Sequence, residues 1–304
     1  MTTDGTAIRA GGHAVRINRP DKVLFPADGL TKADLAGYYR TVARRMLPHL
    51  RGRPLTLQRF PDGTEEPGFM QKDTPDYFPA WIARARLPKQ QGGTVGYPLC
   101  SDTATLVYLA DQATVTLHRL LSKADDPEHP DRMVFDLDPA GDDFAEVRGA
   151  AQLLRELLDE LALPSTVMTT GSRGLHVIVP LDGRAGFEES RAFARAVAEV
   201  LAGRSPDTLT TEARKAARGD RLYLDVQRNA YGQTAVAPYA VRPLPGAPVA
   251  APLSWDDVDT PGLTARRWTV RDAGALVKDN PWREALRGRS LAPARRRLDA
   301  LRRA

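Results

Sequence analysis

Met133-Val134-Phe135-Asp136-Leu137-Asp138 is a short apolar run that carries two carboxylates and stops at Pro139 and Gly141. Its length and its breakers predict a buried strand ending in an acid pair. Phe144 to Leu163 follows (FAEVRGAAQLLRELLDELAL), with apolar residues at the spacing of an amphipathic helix. Ser165–Thr170 is rich in β-formers, Gly171-Ser172-Arg173-Gly174 reads as a turn, and Leu175–Pro180 as another strand. The stretch 133–180 therefore predicts strand, helix, strand, turn, strand. Beyond it, Glu188–Gly203 predicts a second long helix, and Leu222-Tyr223-Leu224-Asp225-Val226 an apolar strand with a single acid. Such mixed elements predict an α+β fold, a sheet with helices on its faces.

Toward the N-terminus, Thr31-Lys32-Ala33-Asp34-Leu35 carries the signature of a capped helix start, continuing through LAGYYRTVARRMLPHL. Pro54, Pro61-Asp62-Gly63 and Pro67-Gly68 then divide the chain into strands and turns. Toward the C-terminus, prolines 238, 243, 245, 248 and 252 precede a basic helical tail. The 304 residues suit one large domain or two modest ones, and 42% hydrophobic content supplies a core. No run approaches the ~20 apolar residues of a membrane span, and no apolar leader opens the chain, so the expected location is cytoplasmic. The single cysteine, Cys100, excludes a disulfide framework and a cysteine zinc cluster, and is expected to be a buried filler.

Net charge is +5, but its distribution is uneven: residues 263–304 carry a net +8 and the first 262 a net −3. A basic segment of this kind fits a polyanionic partner or a solvated arginine-rich helix (ARRRLDALRRA). Asp136 and Asp138 are two apart on a strand, so both carboxylates emerge on one face. Held close, they repel unless a cation lies between them, and a divalent ion with oxygen ligands is the usual answer. If the Asp225 strand lies alongside, three carboxylates converge, a set able to hold two ions for phosphoryl transfer. The alternative is that Asp138 caps a turn and Asp136 is solvated at a sheet edge.

In the turn, two glycines allow close backbone approach, Ser172 offers a hydroxyl, and Arg173 can fork onto phosphate oxygens. His176 begins the next strand, where it can donate to a phosphate or move a proton. A tight hairpin with a core-facing histidine is the plainer reading. Lys215, Arg218 and Arg242 flank the third acidic strand, and acids with cations in one neighbourhood suit a nucleoside triphosphate.

VFDLDP, TTGSRGLHVIVPL and RLYLDVQRN…GQTAVAPYAVRPLPGAPVA together resemble the polymerase domain of bacterial ligase D, of the archaeo-eukaryotic primase superfamily. The resemblance runs from Arg16 to about Ala292. It implies a primase-like catalytic core of antiparallel and mixed sheets flanked by helices, with an N-terminal extension. It implies that Asp136, Asp138 and Asp225 bind two divalent ions, manganese or magnesium. Ser172, Arg173 and His176 would hold the triphosphate, with His118, Arg218, Gln233 and Arg242 completing the nucleotide site. Lys22, in Asp21-Lys22, and Lys32, in Thr31-Lys32, match lysines that recognise a downstream 5′-phosphate. Phe69 falls where an aromatic residue stacks on template or nucleotide, with Met70 where a second aromatic is common. Lys72, Arg59 and Lys215 are further candidates for contact with DNA or nucleotide. The chain departs from the pattern after His118, with Arg119-Leu120 in place of Pro-Trp, and it has no Lys-x-Asp-Gly ligase nucleophile.

The implied activity is template-dependent nucleotidyl transfer, gap filling and end extension with ribonucleotides preferred, at breaks in bacterial non-homologous end joining. The implied partners are gapped or broken DNA bearing a 5′-phosphate, NTP or dNTP, a Ku-like end-binder and a separate ligase, near the nucleoid and away from membranes. A de novo primase and a non-catalytic end-binding scaffold are the alternatives; a DxD glycosyltransferase leaves Lys22, Lys32 and the basic tail unexplained. The expected organisation is a flexible 1–15, a primase-polymerase domain over 16–292, and a basic tail 293–304. Within the domain, 16–125 would bind DNA ends, 126–250 form the catalytic core, and 251–292 a basic C-terminal part.

Overall fold

The structure is a computed structural model that describes residues 6–89, 91–283 and 287–303. The chain divides into two units by its internal contacts. The first holds residues up to 120 together with 236–251 and 266–280; the second holds 121–235, 252–265 and 281 onward. The first division falls after Leu120, and the stretch beyond it does not stay with one unit up to 250. Residues 236–251 return to the first unit because their backbone and side chains complete its core. There Tyr38 Oη donates to the Tyr239 carbonyl at 2.8 Å, and Thr116 Oγ1 to the Val241 carbonyl at 2.6 Å.

In the first unit, Leu55–Arg59 lies between Phe69–Gln71 and Thr114–Leu120 as an antiparallel ladder. The helix Lys32–Leu50 packs against a second helix, Thr103–Asp111. Thr31 caps the first through a reciprocal box with Asp34, as the sequence predicts. Its buried Leu35, Tyr39, Val42, Met46 and Leu50 recur at helical spacing. Residues 6–17, within or beside the lead expected to be flexible, instead form a hairpin, Thr6–Ala10 with His13–Ile17. A two-residue Gly11-Gly12 turn allows it, Gly11 taking φ +59°, and Ala10, Val15 and Ile17 bury their side chains. Residues 1–5 lie outside the described residues.

The second unit is built on a six-stranded sheet in the order Leu209–Thr210, Leu222–Asp225, Arg132–Asp138, Leu175–Pro180, Thr166–Thr169, Pro252–Leu253. Every neighbouring pair is antiparallel except the first. Helices Phe144–Glu160 and Phe187–Arg204 pack against the central Arg132–Asp138 strand and against each other. The first helix buries Val147, Ala150, Ala151, Leu154, Leu157 and Leu158, the stripe its sequence predicts. The architecture is α+β, and elements read from local periodicity lie within a few residues of expectation. The arginine-rich C-terminal helix, Leu291–Leu301, buries Leu291, Ala294 and Leu298. Arg295 pairs with Glu189 at 3.0 Å, Arg302 with Glu199 at 2.7 Å, and Arg297 donates to the Leu161 carbonyl. This helix is docked on the unit that carries it. Among the described residues, no helix is long and apolar enough to cross a membrane.

Candidate active site

Strand register assembles the acids of the second unit. Asp136 lies directly across from Asp225 on one side and from His176 on the other, and Asp138 lies across from Tyr223. Cross-strand neighbours and residues two apart share a face, so Asp136, Asp138, Asp225, His176 and Tyr223 all project to one side of the sheet. The turn 171–174 is pressed against this strand. A Cβ at Gly174 would overlap the carbonyl oxygen of Leu137, the residue between the two acids, so only glycine fits. Thr170 closes the turn: its hydroxyl donates to the Gly174 carbonyl and accepts from the Gly174 and Ser172 N–H groups. Arg173 donates to the carbonyls of Pro139, Ala140 and Gly141 at 3.1–3.3 Å, which ties the turn to the loop after the acid pair.

Each carboxylate faces a cation or donor. His176 Nε2 lies 3.4 Å from Asp136 Oδ2, and Arg228 Nε lies 3.6 Å from the same oxygen. Arg218 lies 3.6 Å from Asp138 and stacks on Tyr223, 3.9 Å from the ring centre. Asp225 accepts from the Gln227 N–H at 2.7 Å and from Tyr223 Oη at 3.4 Å. His176 is buried, and its Nδ1 has no hydrogen-bond partner among the described residues. Burial, and then the charge of Asp136, push the Asp138 carboxyl above the usual carboxylate range, with Arg173, Arg218 and Lys215 opposing.

A cation would relieve that crowding, and an all-carboxylate donor set suits a hard divalent ion. With their oxygens turned onto these arginines and backbone donors, no three His, Cys, Asp or Glu side chains among the described residues form a metal-holding group. The residue types and their shared face fit such an ion; their partners in this structure are protein groups.

The second unit also holds Lys215 on a short helix and Gln233, exposed after a turn. The first unit holds the remaining candidates. Phe69 and Met70 are exposed, with the Arg59 guanidinium 5.5 Å from the Phe69 ring centre. Arg59 itself is buried, bonded to Gln71, Tyr77 and Gln112. Lys72 is exposed. Lys22 reaches Asp62 at 3.3 Å, an open ion pair. Lys32 differs in kind: it is 6% exposed, and its ammonium donates to the Asn18 carbonyl at 2.7 Å and to Asp111 at 3.4 Å. Burial lowers its pKa against the opposing pull of Asp111. His118 lies across from Thr56 on the Thr114–Leu120 strand, and the Arg242 N–H donates to the Pro248 carbonyl.

The departure Arg119-Leu120 has a packing cause. Arg119 is buried and donates to the His49 carbonyl at the end of the Lys32–Leu50 helix, while Leu120 packs with Leu87, Val95 and Tyr97. Cys100 is fully buried, and desolvation holds its thiol far above the ordinary range.

Sequence reasoning missed three residues that follow the lone acid. Gln227 and Arg228 are the donors to Asp225 and Asp136. Asn229, fully buried, pairs with the Val134 backbone through both ends of its amide, at 2.8 and 2.7 Å, and donates to the Val226 carbonyl. The visible signal was a run of polar residues, QRN, directly after an apolar strand.

The fold is that of a polymerase domain. The polymerase domain of Mycobacterium tuberculosis ligase D, solved in complex with DNA, superimposes with a TM-score of 0.82 at 33% identity, covering 87% of this chain and 95% of that one. The family model for the LigD primase-polymerase domain matches residues 31–282, and the chain belongs to that family. The multifunctional non-homologous end joining protein LigD of Mycolicibacterium smegmatis is 35% identical over 257 residues, 84% of this chain and 34% of the relative. The bifunctional LigD of Bacillus subtilis is 33% identical over 252 residues, 82% of this chain and 40% of that protein. The chain therefore spans about a third of the length of the first of these relatives.

Proposed function

We propose that this chain is a template-dependent nucleotidyltransferase that fills gaps and extends ends at DNA breaks during bacterial end joining, using ribonucleotides in preference. The observation that carries the reading is the register that sets Asp225 and His176 on either side of Asp136, with the Ser172–Gly174 turn packed against the same strand. In the reaction, the 3′-hydroxyl oxygen of a primer forms a bond to the α-phosphorus of a nucleoside triphosphate. The bond to the bridging oxygen breaks, pyrophosphate leaves with that electron pair, and the hydroxyl proton is released. Asp136, Asp138 and Asp225 would hold two divalent ions, manganese or magnesium, which neutralise phosphate charge and acidify the hydroxyl when bound.

The protein's own part is to bind and orient. Ser172 and Arg173 hold triphosphate oxygens, and His176, wedged against Asp136, donates to one of them. Arg218 and Lys215 stabilise the charge that builds on the departing pyrophosphate. His118, Gln233 and Arg242 bind nucleotide, and Phe69 stacks on a base. Lys22, partly buried but more accessible than Lys32, is the lysine suited to a 5′-phosphate; Lys32, buried against Asp111, contributes by shaping the surface beside it. Lys72 and Arg59 support DNA contact, Arg59 from beneath Phe69. A Ku-like end-binder and a ligase would share the pathway, since a filled gap still needs sealing.

The test is extension of a gapped duplex with a recessed 3′-hydroxyl and a 5′-phosphate, with manganese and each NTP or dNTP in turn. Templated addition that disappears in Asp136→Ala/Asp138→Ala and weakens without the 5′-phosphate supports the proposal. DNA binding with no addition under any condition overturns it and leaves an end-binding scaffold.

A further inference from the structure

Beside the Leu222–Asp225 strand, the second unit contains a cavity of about 430 Å³ that none of the assigned residues explains. Helix Phe187–Arg204 lines it with Arg191, Arg195 and Ala198, four and three residues apart on one face. Arg221 joins them from the start of the strand, and Thr210, Thr211 and Glu212 line the sheet edge. Tyr223 and Gln227 form part of the same wall, and both also touch Asp225, so the cavity backs directly onto the acid face.

Its charge is cationic: three guanidinium groups against the Glu212 carboxylate, which already accepts from the Arg214 N–H. None of the three arginines is exhausted by its present contacts. Arg191 bonds Gln227 Oε1 through one nitrogen, Arg195 faces Glu199 at 3.4 Å, and Arg221 spends two nitrogens on the Arg218 and Ala217 carbonyls. A guanidinium has five N–H donors in a planar fork that matches phosphate oxygens, so each retains donors for an anion. The volume is that of an ordinary small-ligand site and exceeds the needs of one inorganic ion.

We propose that this cavity binds a phosphate-bearing ligand, held by Arg191, Arg195 and Arg221. Two sources share that chemistry: a backbone phosphate of a nucleic-acid strand, and free pyrophosphate. The pairing of sources rests on the nucleotidyl-transfer reading of the acid face, whereas the binding itself does not.

The test uses the full chain without metal or nucleotide, so that it is blind to turnover. Binding of a fluorescein-labelled single-stranded oligonucleotide and of pyrophosphate is measured across a salt series. The wild type is compared with Arg195→Gln/Arg221→Gln and with Arg184→Gln, a control whose side chain is 85% exposed and outside the cavity. If a strand phosphate occupies the cavity, the double variant lowers oligonucleotide affinity about tenfold. The slope of log K against log salt then falls by about 1.4, two contacts at ~0.7 each. If pyrophosphate is the occupant, its affinity falls while oligonucleotide binding is unchanged. Either result, absent from Arg184→Gln, supports the site. Unchanged binding of both ligands by a double variant with native circular dichroism overturns it, and leaves the gap-extension result free to stand or fall separately.

Discussion

Replacing Asn229 tests how the acid face is held in register. Its amide takes the place of a neighbouring strand along Val134, accepting from the N–H and donating to the C=O, with a further bond to the Val226 carbonyl. Asn229→Ala strands one buried N–H and one carbonyl, both of Val134, because the Val226 carbonyl still accepts from the backbone N–H of residue 229. At roughly 1–3 kcal/mol for each unsatisfied group, with the carbonyl at the lower end, the loss is about 2–4 kcal/mol. That is a large share of the ~5–15 kcal/mol that holds a domain together. Asn229→Asp is close in shape but is the harsher change at pH 7. It retains an acceptor for the Val134 N–H, loses both donors, and sets a buried negative charge against two carbonyl oxygens. Burial raises the pKa of such a carboxyl in the folded state, so its cost is present above that pKa and is relieved as pH falls. Urea unfolding followed by circular dichroism at pH 7 and pH 5 reads both effects. An alanine variant within about 1 kcal/mol of wild type, or an aspartate variant as stable as wild type at pH 7, would refute the clamp.

Three further outcomes follow from the site. Gly174→Ala forces the turn away from Leu137 and is expected to abolish gap extension while costing about 2 kcal/mol or more in the same unfolding assay; retained extension would show that the turn need not touch the acid strand. Asp138→Asn removes a carboxyl whose ionisation the fold disfavours. It should raise Tm at pH 7, with the gain shrinking as pH falls toward the ordinary carboxylate range, even as extension is lost; an unchanged or lower Tm at pH 7 contradicts the crowding argument. Lys32→Met breaks a buried pair and should cost about 3–5 kcal/mol, whereas Lys22→Met breaks an open pair and should cost under about 1 kcal/mol while weakening 5′-phosphate-dependent DNA binding. Equal stability losses in the two variants would contradict the difference in burial.

What was legible in the sequence was local. The Met133–Asp138 strand, the amphipathic helix after it, the glycine-bounded turn and the lone acid on Leu222–Asp225 each announce themselves within a short window of residues. Alternation on a strand is enough to place Asp136 and Asp138 on one face. That Asp225 and His176 flank Asp136 is a matter of long-range register, and the sequence could state it only as a condition. Lys32 illustrates the limit: its match to a phosphate-binding lysine carries no information on burial, and its partner Asp111 lies 79 residues away. The polar run QRN marks Asn229 as unusual but not what it binds, its partner Val134 being 95 residues distant. The arginine-rich end fitted either a polyanion partner or a solvated helix; three apolar residues spaced three and four apart, Leu291, Ala294 and Leu298, are the packing signal that neither reading used.

The return of residues 236–251 to the first unit bears on how the protein is made. The ribosome delivers the first 120 residues long before the segment that receives the Tyr38 hydroxyl and bonds Tyr39 through the Val241 N–H. Until then the Tyr38 hydroxyl lacks its native acceptor and the Tyr39 hydroxyl its native donor, so the nascent unit waits with an unfinished core while the second is synthesised. A chain ending at residue 235 would lack that segment altogether, so the first unit is not a portable fragment, whatever its apparent boundary at Leu120 suggests.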